Sequence, residues 1–253
     1  MFSGVIDGFR SLAGSLDGIA PDKAGAHYSA EVVMKAVVVG ASRGLGRGIA
    51  EAMDGAVGIS RTSGSDARER EVAVDTLRRH QPDVLVIVAG AVPELRPLHE
   101  HTWESFSLNF EADVKIAFEW TRAALITPLS PGTRIIVVSS GAALQGSNLS
   151  AGYSGAKASQ RFIAASAQSE SDRLGLGLGF TTVFPTITPH REGGRESLNI
   201  HAAQAGKTVA EYLGGAVLTP EIAGREILKL ASTGEPAAEY MLTGGGLRPL
   251  ELN

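Results

Sequence analysis

The stretch Met34–Gly46, MKAVVVGASRGLG, constrains the fold more than any other part of this 253-residue chain. Lys35 to Val39 is a short valine-rich run, the pattern of a strand buried on both faces of a parallel sheet. Gly40, Gly44 and Gly46 follow, with Ala41 and Ser42 among them, and then Leu45, Ile49, Ala50 and Met53 recur at helical spacing. The order is strand, tight turn, helix. A helix N-terminus offers unpaired N–H groups and the positive end of a dipole. Glycines let a pyrophosphate approach that end with no side chain in the way. A dinucleotide site at the C-terminal edge of a first strand is therefore expected. The spacing is Gly-x-x-x-Gly-x-Gly rather than G-x-G-x-x-G, in a chain with 31 glycines, so the turn needs support from elsewhere.

That support begins with a repeated strand–helix rhythm. Ala56 to Ser60, Val84 to Ala89, Arg134 to Val138, Gly179 to Phe184 and Glu239 to Leu242 read as strands. Trp103 to Leu125 reads as one long helix that contains Asn109, and Tyr153 to Gln168 as the next. Thr219 is a cap with Pro220 at the first helical position, opening a helix that runs to about Ala231. Thr62 to Asp83 leaves two readings open. Ala67 to His80 forms one helix, or Glu71 to Val74 is a strand with Asp75 at its end. The alternation predicts an α/β fold, a three-layer Rossmann-type doubly wound and mostly parallel sheet in a single domain over residues 34–253. Residues 186–218 are poor in strand signals and form a candidate substrate lid. In residues 1–33, Phe2, Val5, Ile6, Phe9, Leu12, Leu16 and Ile19 follow helical spacing, which predicts an amphipathic arm unless Met34 is the natural start.

Composition narrows the function. With 23 basic and 27 acidic residues and no basic block, a nucleic-acid surface is not expected. The absence of cysteine excludes disulfides, thiol nucleophiles and cysteine-ligated metals, and fits a reducing cytoplasm. No apolar segment approaches membrane-span length, and the six histidines form no ligand cluster, so neither a membrane nor a metal role is expected.

Four polar residues are candidates to meet beyond the strand ends: Asn109, Ser140, Tyr153 and Lys157. Tyr153 and Lys157 are four apart and share a helix face, although such polar pairs are also common on surfaces. An ammonium beside a phenol favours the phenolate, which makes Tyr153 the acid–base candidate near neutrality. Ser140 is placed to hold a carbonyl or hydroxyl oxygen, and Asn109 to orient a water linked to Lys157. Arg61, at the end of the second strand, stands where an acidic residue would accept bonds from an adenosine ribose; a basic one suits a 2'-phosphate. Arg43, inside the glycine turn, reaches the same phosphate from the other side.

Taken together, these motifs resemble the short-chain dehydrogenase/reductase family over roughly Lys35 to Leu247. Gly40 to Gly46 matches its glycine-rich cofactor turn, and Val88-Ala89-Gly90 the end of its fourth-strand motif. Tyr153-Ser154-Gly155-Ala156-Lys157 matches its Y-x-x-x-K, with Ser140 thirteen residues upstream at the catalytic-serine spacing; Ser139 fits less well. Asn109 falls at the family's helix asparagine. The resemblance implies an NADP(H)-dependent oxidoreductase interconverting a carbonyl and an alcohol, with NADP(H) preferred over NAD(H) and Tyr153 as general acid/base. It implies cofactor contacts from Gly40, Ser42, Arg43, Gly44, Leu45, Gly46, Arg61, Ala89, Gly90, Tyr153, Lys157, Pro185, Ile187 and Thr188, with Asp75 facing the adenine if the strand reading holds. It also implies a homodimer or homotetramer in the cytoplasm. The chain departs from the family at Val39, at Val88 in place of an asparagine and at Pro185-Thr186. The tract between Arg61 and Asp83 is expected to be shortened and to lack a full helix. The alternatives are a non-catalytic NADP(H)-binding regulatory protein, an NAD(H)-linked member, or a member that uses the nicotinamide transiently in epimerisation or dehydration. For the substrate, His190, Arg191, Arg195, His201 and Tyr212 in the lid and Leu144, Leu149 and Leu198 at its rim allow either an acidic or a moderately apolar ligand.

Overall fold

The computed structural model describes residues 34–190 and 194–250. The amphipathic pattern of residues 1–33 lies outside these. In chain order the elements are β1 (Ala36–Val39), α1 (Gly44–Ala52), β2 (Val57–Ile59), α2 (Arg70–His80), β3 (Val84–Ile87), α3 (Trp103–Asn109), a π-helical turn (Phe110–Val114), α4 (Lys115–Ile126), β4 (Arg134–Val138), α5 (Ala142–Gln145), α6 (Ala151–Leu174), β5 (Gly179–Pro185), α7 (Gly194–Gln204), α8 (Val209–Leu213), α9 (Pro220–Ala231), β6 (Glu239–Thr243) and β7 (Gly246–Pro249). The strands form one sheet in the order β2-β1-β3-β4-β5-β6-β7. All neighbouring pairs are parallel except β6 and β7.

Successive side chains on a strand point to opposite faces. Val37, Val39, Leu85, Ile87, Ile135 and Val137 therefore meet Leu77, Trp120 and Ala164 on one side of the sheet. Ala36, Val38, Val84, Val86, Ile136 and Val138 meet Ile49, Ile227 and Leu230 on the other. This is the three-layer, doubly wound architecture. Because both faces are covered, the strands are continuous apolar runs rather than alternating ones.

On one face α1 and α9 touch backbone to backbone. A Cβ on Gly48 would lie 2.1 Å from Pro220 O, and one on Gly224 would lie 2.2 Å from Gly48 O. Gly48→Ala is expected to lower stability by about 1–3 kcal/mol through overpacking. The measurement is urea unfolding, where the midpoint falls and the slope stays constant. An unchanged midpoint would contradict this helix crossing.

Three expectations need correction. Of the two readings of Thr62 to Asp83 the helical one holds, as Arg70–His80, so it is the expectation of a tract without a full helix that fails. Glu71 in the first turn and Arg78, Arg79 and His80 in the last suit the helix dipole, and the buried residues Ala73 and Leu77 are one turn apart. Gln81, at φ 41°, closes the helix in the left-handed region and donates its N–H to Leu77 O. The long helix from Trp103 is interrupted by the π turn directly after Asn109. Finally, the chain after β6 turns through Gly244-Gly245 into β7, which adds an antiparallel edge strand. Paired glycines between strand-like runs are a hairpin signal as well as a stop.

Candidate active site

From β1 the chain passes to β2 on one side and then to β3 on the other. The strand order reverses here, which leaves a crevice beyond the C-terminal ends of β1 and β3. Gly40 closes β1 at φ +101°, and a Cβ there would lie 2.6 Å from Ala89 N. A Cβ on Gly46 would lie 2.0 Å from Gly40 O, so α1 starts hard against the turn. Arg43 is the N-cap of α1 but makes no side-chain capping bond, and the first turn carries no acid. Its backbone donors are thus left for a ligand. By contrast Thr102 and Thr219 cap α3 and α9 with their hydroxyls.

A cavity of about 1430 Å³ opens over this crevice. It is lined by Gly40, Ser42, Arg43, Gly44, Leu45, Gly46, Arg61, Ala89, Gly90, Ser140, Tyr153, Lys157, Pro185, Ile187 and Thr188, which is every site residue expected from sequence except Asn109. Asn109 is 2% exposed and sits behind the cavity wall, where its Nδ2 donates to Ala91 O at 3.1 Å and to Asp113 Oδ1 at 3.2 Å. Those bonds account for an asparagine inside a helix. Thr188 is also more engaged than expected: its hydroxyl donates to Leu218 O at 2.7 Å.

Helix α6 carries the tyrosine and lysine. Arg161 anchors the helix to β6, its Nε and Nη2 donating to Glu239 at 2.5 and 2.7 Å. Lys157 Nζ lies 5.6 Å from the centre of the Tyr153 ring. The two serines after β4 both line the cavity but differ in burial and partners. Ser139 is buried and donates to Lys157 O at 2.8 Å, which ties β4 to α6. Ser140 is half-buried at the cavity wall, and its Oγ accepts the Ala142 N–H at 3.2 Å. Its hydroxyl proton is available to a ligand.

At the opposite end, Arg43 and Arg61 are joined by Thr62, Asp66 and Arg68. Arg68 Nη2 pairs with Asp66 Oδ2 at 2.6 Å. Hydrogen bonds from the Arg68 side chain, then its backbone N–H, hold the Asp66 carboxyl down to about 2, and the charge of Arg61 adds to this. Trp120 fixes this loop by donating its indole N–H to Ala67 O at 2.9 Å. Asp75 lies on α2, outside the cavity lining, so it does not face an adenine; Asp66 is the acid at that end.

A sequence model of the family described as short chain dehydrogenase matches residues 62–189, just over half the chain. The chain belongs to the short-chain dehydrogenase family. It is an oxidoreductase by that membership. No curated protein matches it. Among solved structures of the same fold, a short chain dehydrogenase from Mycobacterium avium has a TM-score of 0.66 at 22% identity, covering 86% of this chain and 85% of the other. A small-chain dehydrogenase in complex with NADPH has a TM-score of 0.68 at 13% identity, covering 84% and 97%. A dehydrogenase/reductase from Sinorhizobium meliloti 1021 has a TM-score of 0.64 at 21% identity, covering 84% and 94%.

In this short-chain dehydrogenase the segment expected as a lid folds into α7 and α8. His201 on α7 joins it to the loop after α5. Its Nδ1 lies 2.9 Å from Ser197 O, which only accepts, so Nδ1 carries the proton and Nε2 accepts from Ser147 Oγ at 3.2 Å. Tyr212 of α8 packs edge-on against the His201 ring. The leucines expected at the rim are absent from the lining, and Leu149 and Leu198 are buried. Arg195 is not in the lining either. Gln145, Ser147, Asn148, His201, Gln204 and Tyr212 line the cavity instead. Sequence reasoning named His201 and Tyr212 but missed Asp66, Arg68, Gln145, Ser147, Asn148 and Gln204. A polar residue in a Gly- and Ser-rich loop carries no periodicity that shows which way it faces.

Among the described residues no helix is long and apolar enough to cross a membrane.

Proposed function

We propose that this short-chain dehydrogenase is an NADP(H)-dependent oxidoreductase that interconverts a carbonyl compound and its alcohol. The observation that carries the reading is the shared cavity. Ser140, Tyr153 and Lys157 line the same space as the uncapped start of α1 and the two arginines. The fit to the cofactor is physical: the turn at Gly40 and Gly46 has no room for a Cβ, and the helix start lacks a protein cap. The NADPH bound to a dehydrogenase of like fold supports the choice of dinucleotide.

Bound NADP(H) supplies or receives the hydride. The residues of the chain do the rest. The glycine turn and α1 bind the pyrophosphate, and Arg43 and Arg61 the 2'-phosphate. Ser140 donates to the substrate oxygen and orients it. Tyr153 gives the proton to that oxygen in reduction and takes it in oxidation. Lys157 holds the nicotinamide ribose beside the Tyr153 ring. Asn109 acts from behind the wall, by fixing the Ala91 carbonyl. A cytoplasmic setting suits a cysteine-free chain that draws on reducing NADPH.

The polar lining points to carbonyl compounds that carry hydroxyl or amide groups. In a panel of ketones and aldehydes, NADPH oxidation is expected for such polar members, with kcat/KM at least about tenfold above apolar isosteres, because unpaired buried polar groups penalise the latter. NADPH binding without turnover of any panel member would reject the enzymatic reading in favour of a regulatory one.

A homodimer or homotetramer is part of the proposal. Phe118 on α4 and Phe162 on α6, helices packed on each other, are 49% and 67% exposed, and Trp103 on α3 is 72% exposed. Such a patch suits a second copy of the chain. Phe162→Glu is expected to yield monomers in sedimentation; a wild-type assembly would reject this face.

A further inference from the structure

At the cavity wall lies a buried ion pair whose carboxylate the reading above leaves unused. Asp113, in the π-helical turn, is 1% exposed, and Lys157 is 5% exposed. Lys157 Nζ lies 3.2 Å from Asp113 Oδ2 and donates to Gln160 Oε1 at 3.0 Å. The other carboxylate oxygen, Oδ1, accepts the Ala91 N–H at 2.8 Å and Asn109 Nδ2 at 3.2 Å. Gln160 is fully buried and returns its Nε2 to Asp113 O at 2.9 Å. A single carboxylate therefore touches the loop after β3, the end of α3 and the lysine of α6. Gly90 makes room for it: a Cβ there would lie 2.7 Å from Asp113 Oδ2. Val88 is apolar and offers no polar tie at the end of β3, so the loop is held from the helix side.

A carboxylate is not buried without a partner at low cost. This one is paired with the ammonium that lines the cavity. An ammonium has three N–H donors. Gln160 Oε1 takes one of them, Asp113 Oδ2 holds the ammonium by charge with no hydrogen bond, and Lys157 lines the cavity, where a remaining donor can meet a ligand. Side chains that reach a ligand are positioned most sharply when a surrounding shell fixes their own rotamers.

We propose that Asp113 and Gln160 are positioning residues, a buried frame of one ion pair and one hydrogen bond that fixes Lys157 so that a free donor meets the ribose of the nicotinamide nucleotide. Asp113 also locks Asn109 and Ala91 into the same frame. The inference rests on the cofactor reading of Lys157 given above.

The test is an equilibrium titration of the full chain with NADPH, read by nucleotide fluorescence, for Asp113→Asn, Gln160→Met, Lys157→Met and the two double variants. Lys157→Met is expected to raise Kd about tenfold, the loss of one hydrogen bond from a charged group. Asp113→Asn is expected to raise it about fivefold and Gln160→Met about threefold; in the Lys157→Met background each is expected to add less than about twofold. A purely structural role would give the same factor in both backgrounds, and that result overturns the frame. Wild-type Kd values for Asp113→Asn and Gln160→Met overturn it too. Should Asp113→Asn not fold, Gln160→Met decides by the same comparison, since it leaves the charges paired. A wild-type Kd for Lys157→Met would reject the cofactor reading itself, and the frame with it.

Discussion

Replacing Tyr153 by phenylalanine is expected to abolish turnover while leaving NADPH bound as tightly as before. The change removes one oxygen atom and keeps the ring that packs near Lys157 Nζ. The glycine turn, the start of α1 and the arginines lie elsewhere in the cavity. A positioned general acid contributes about 10²- to 10⁴-fold. A drop of that size in kcat, with NADPH Kd within about twofold, is the outcome expected from steady-state rates and a nucleotide titration. Ser140→Ala should fall in the same direction with the same intact binding, since Ser140 orients the oxygen that Tyr153 protonates. Turnover retained in Tyr153→Phe would reject the acid–base assignment. Loss of NADPH binding together with turnover would instead mean that the phenol serves the nucleotide.

Much of this site was legible because each signal had one physical reading once combined with the others. A glycine turn alone is ambiguous in a glycine-rich chain. A tyrosine and lysine four apart are ambiguous on any helix. Their order along the chain, with Ser140 and Asn109 between, removed the ambiguity, because a parallel sheet brings all its C-terminal strand ends to one edge. The start of α9 was legible for a local reason: Thr219 accepts the Ile222 N–H and Pro220 needs no N–H partner there.

What was hidden follows from the same logic. Asp113 reads as an ordinary charged residue on a helix, and only tertiary packing shows that its partner is Lys157 at the cavity wall, 44 residues away in sequence. Arg70 to His80 admitted a strand because Val72, Ala73 and Val74 form a short apolar run with two β-branched residues; the dipole-matched charges at its two ends decide for a helix. The polar lining of the lid was hidden because two of the apolar rim leucines, Leu149 and Leu198, turned inward. Hydrophobicity marked them for burial, whether in a substrate pocket or in the core, and the core took them.

The second large effect concerns the choice of cofactor. Arg43 stands at the N-cap position of α1 without capping it and Arg61 follows β2, and both line the cavity end where Asp66 and Arg68 also stand. Asp66 stays ionised down to about pH 2, and its partner Arg68 offsets its charge. Arg61 adds positive charge at this end, and Arg43 lines it as well. Among the described residues Arg61 has no carboxylate ion-pair partner. A guanidinium gains about 1.5–3 kcal/mol from charge-assisted bonds to a phosphate, equivalent to about 10- to 100-fold in affinity. Arg61→Ala is expected to weaken NADPH binding by that factor and to leave NADH binding unchanged, because NADH lacks the 2'-phosphate. Arg61→Asp should go further and reverse the preference, since a carboxylate repels the phosphate and accepts bonds from a free ribose hydroxyl. Paired titrations with NADPH and NADH on the wild type and both variants measure this directly. Tight NADH preference in the wild type, or equal losses for the two nucleotides in Arg61→Ala, would place the selecting charge elsewhere and leave these arginines as surface groups.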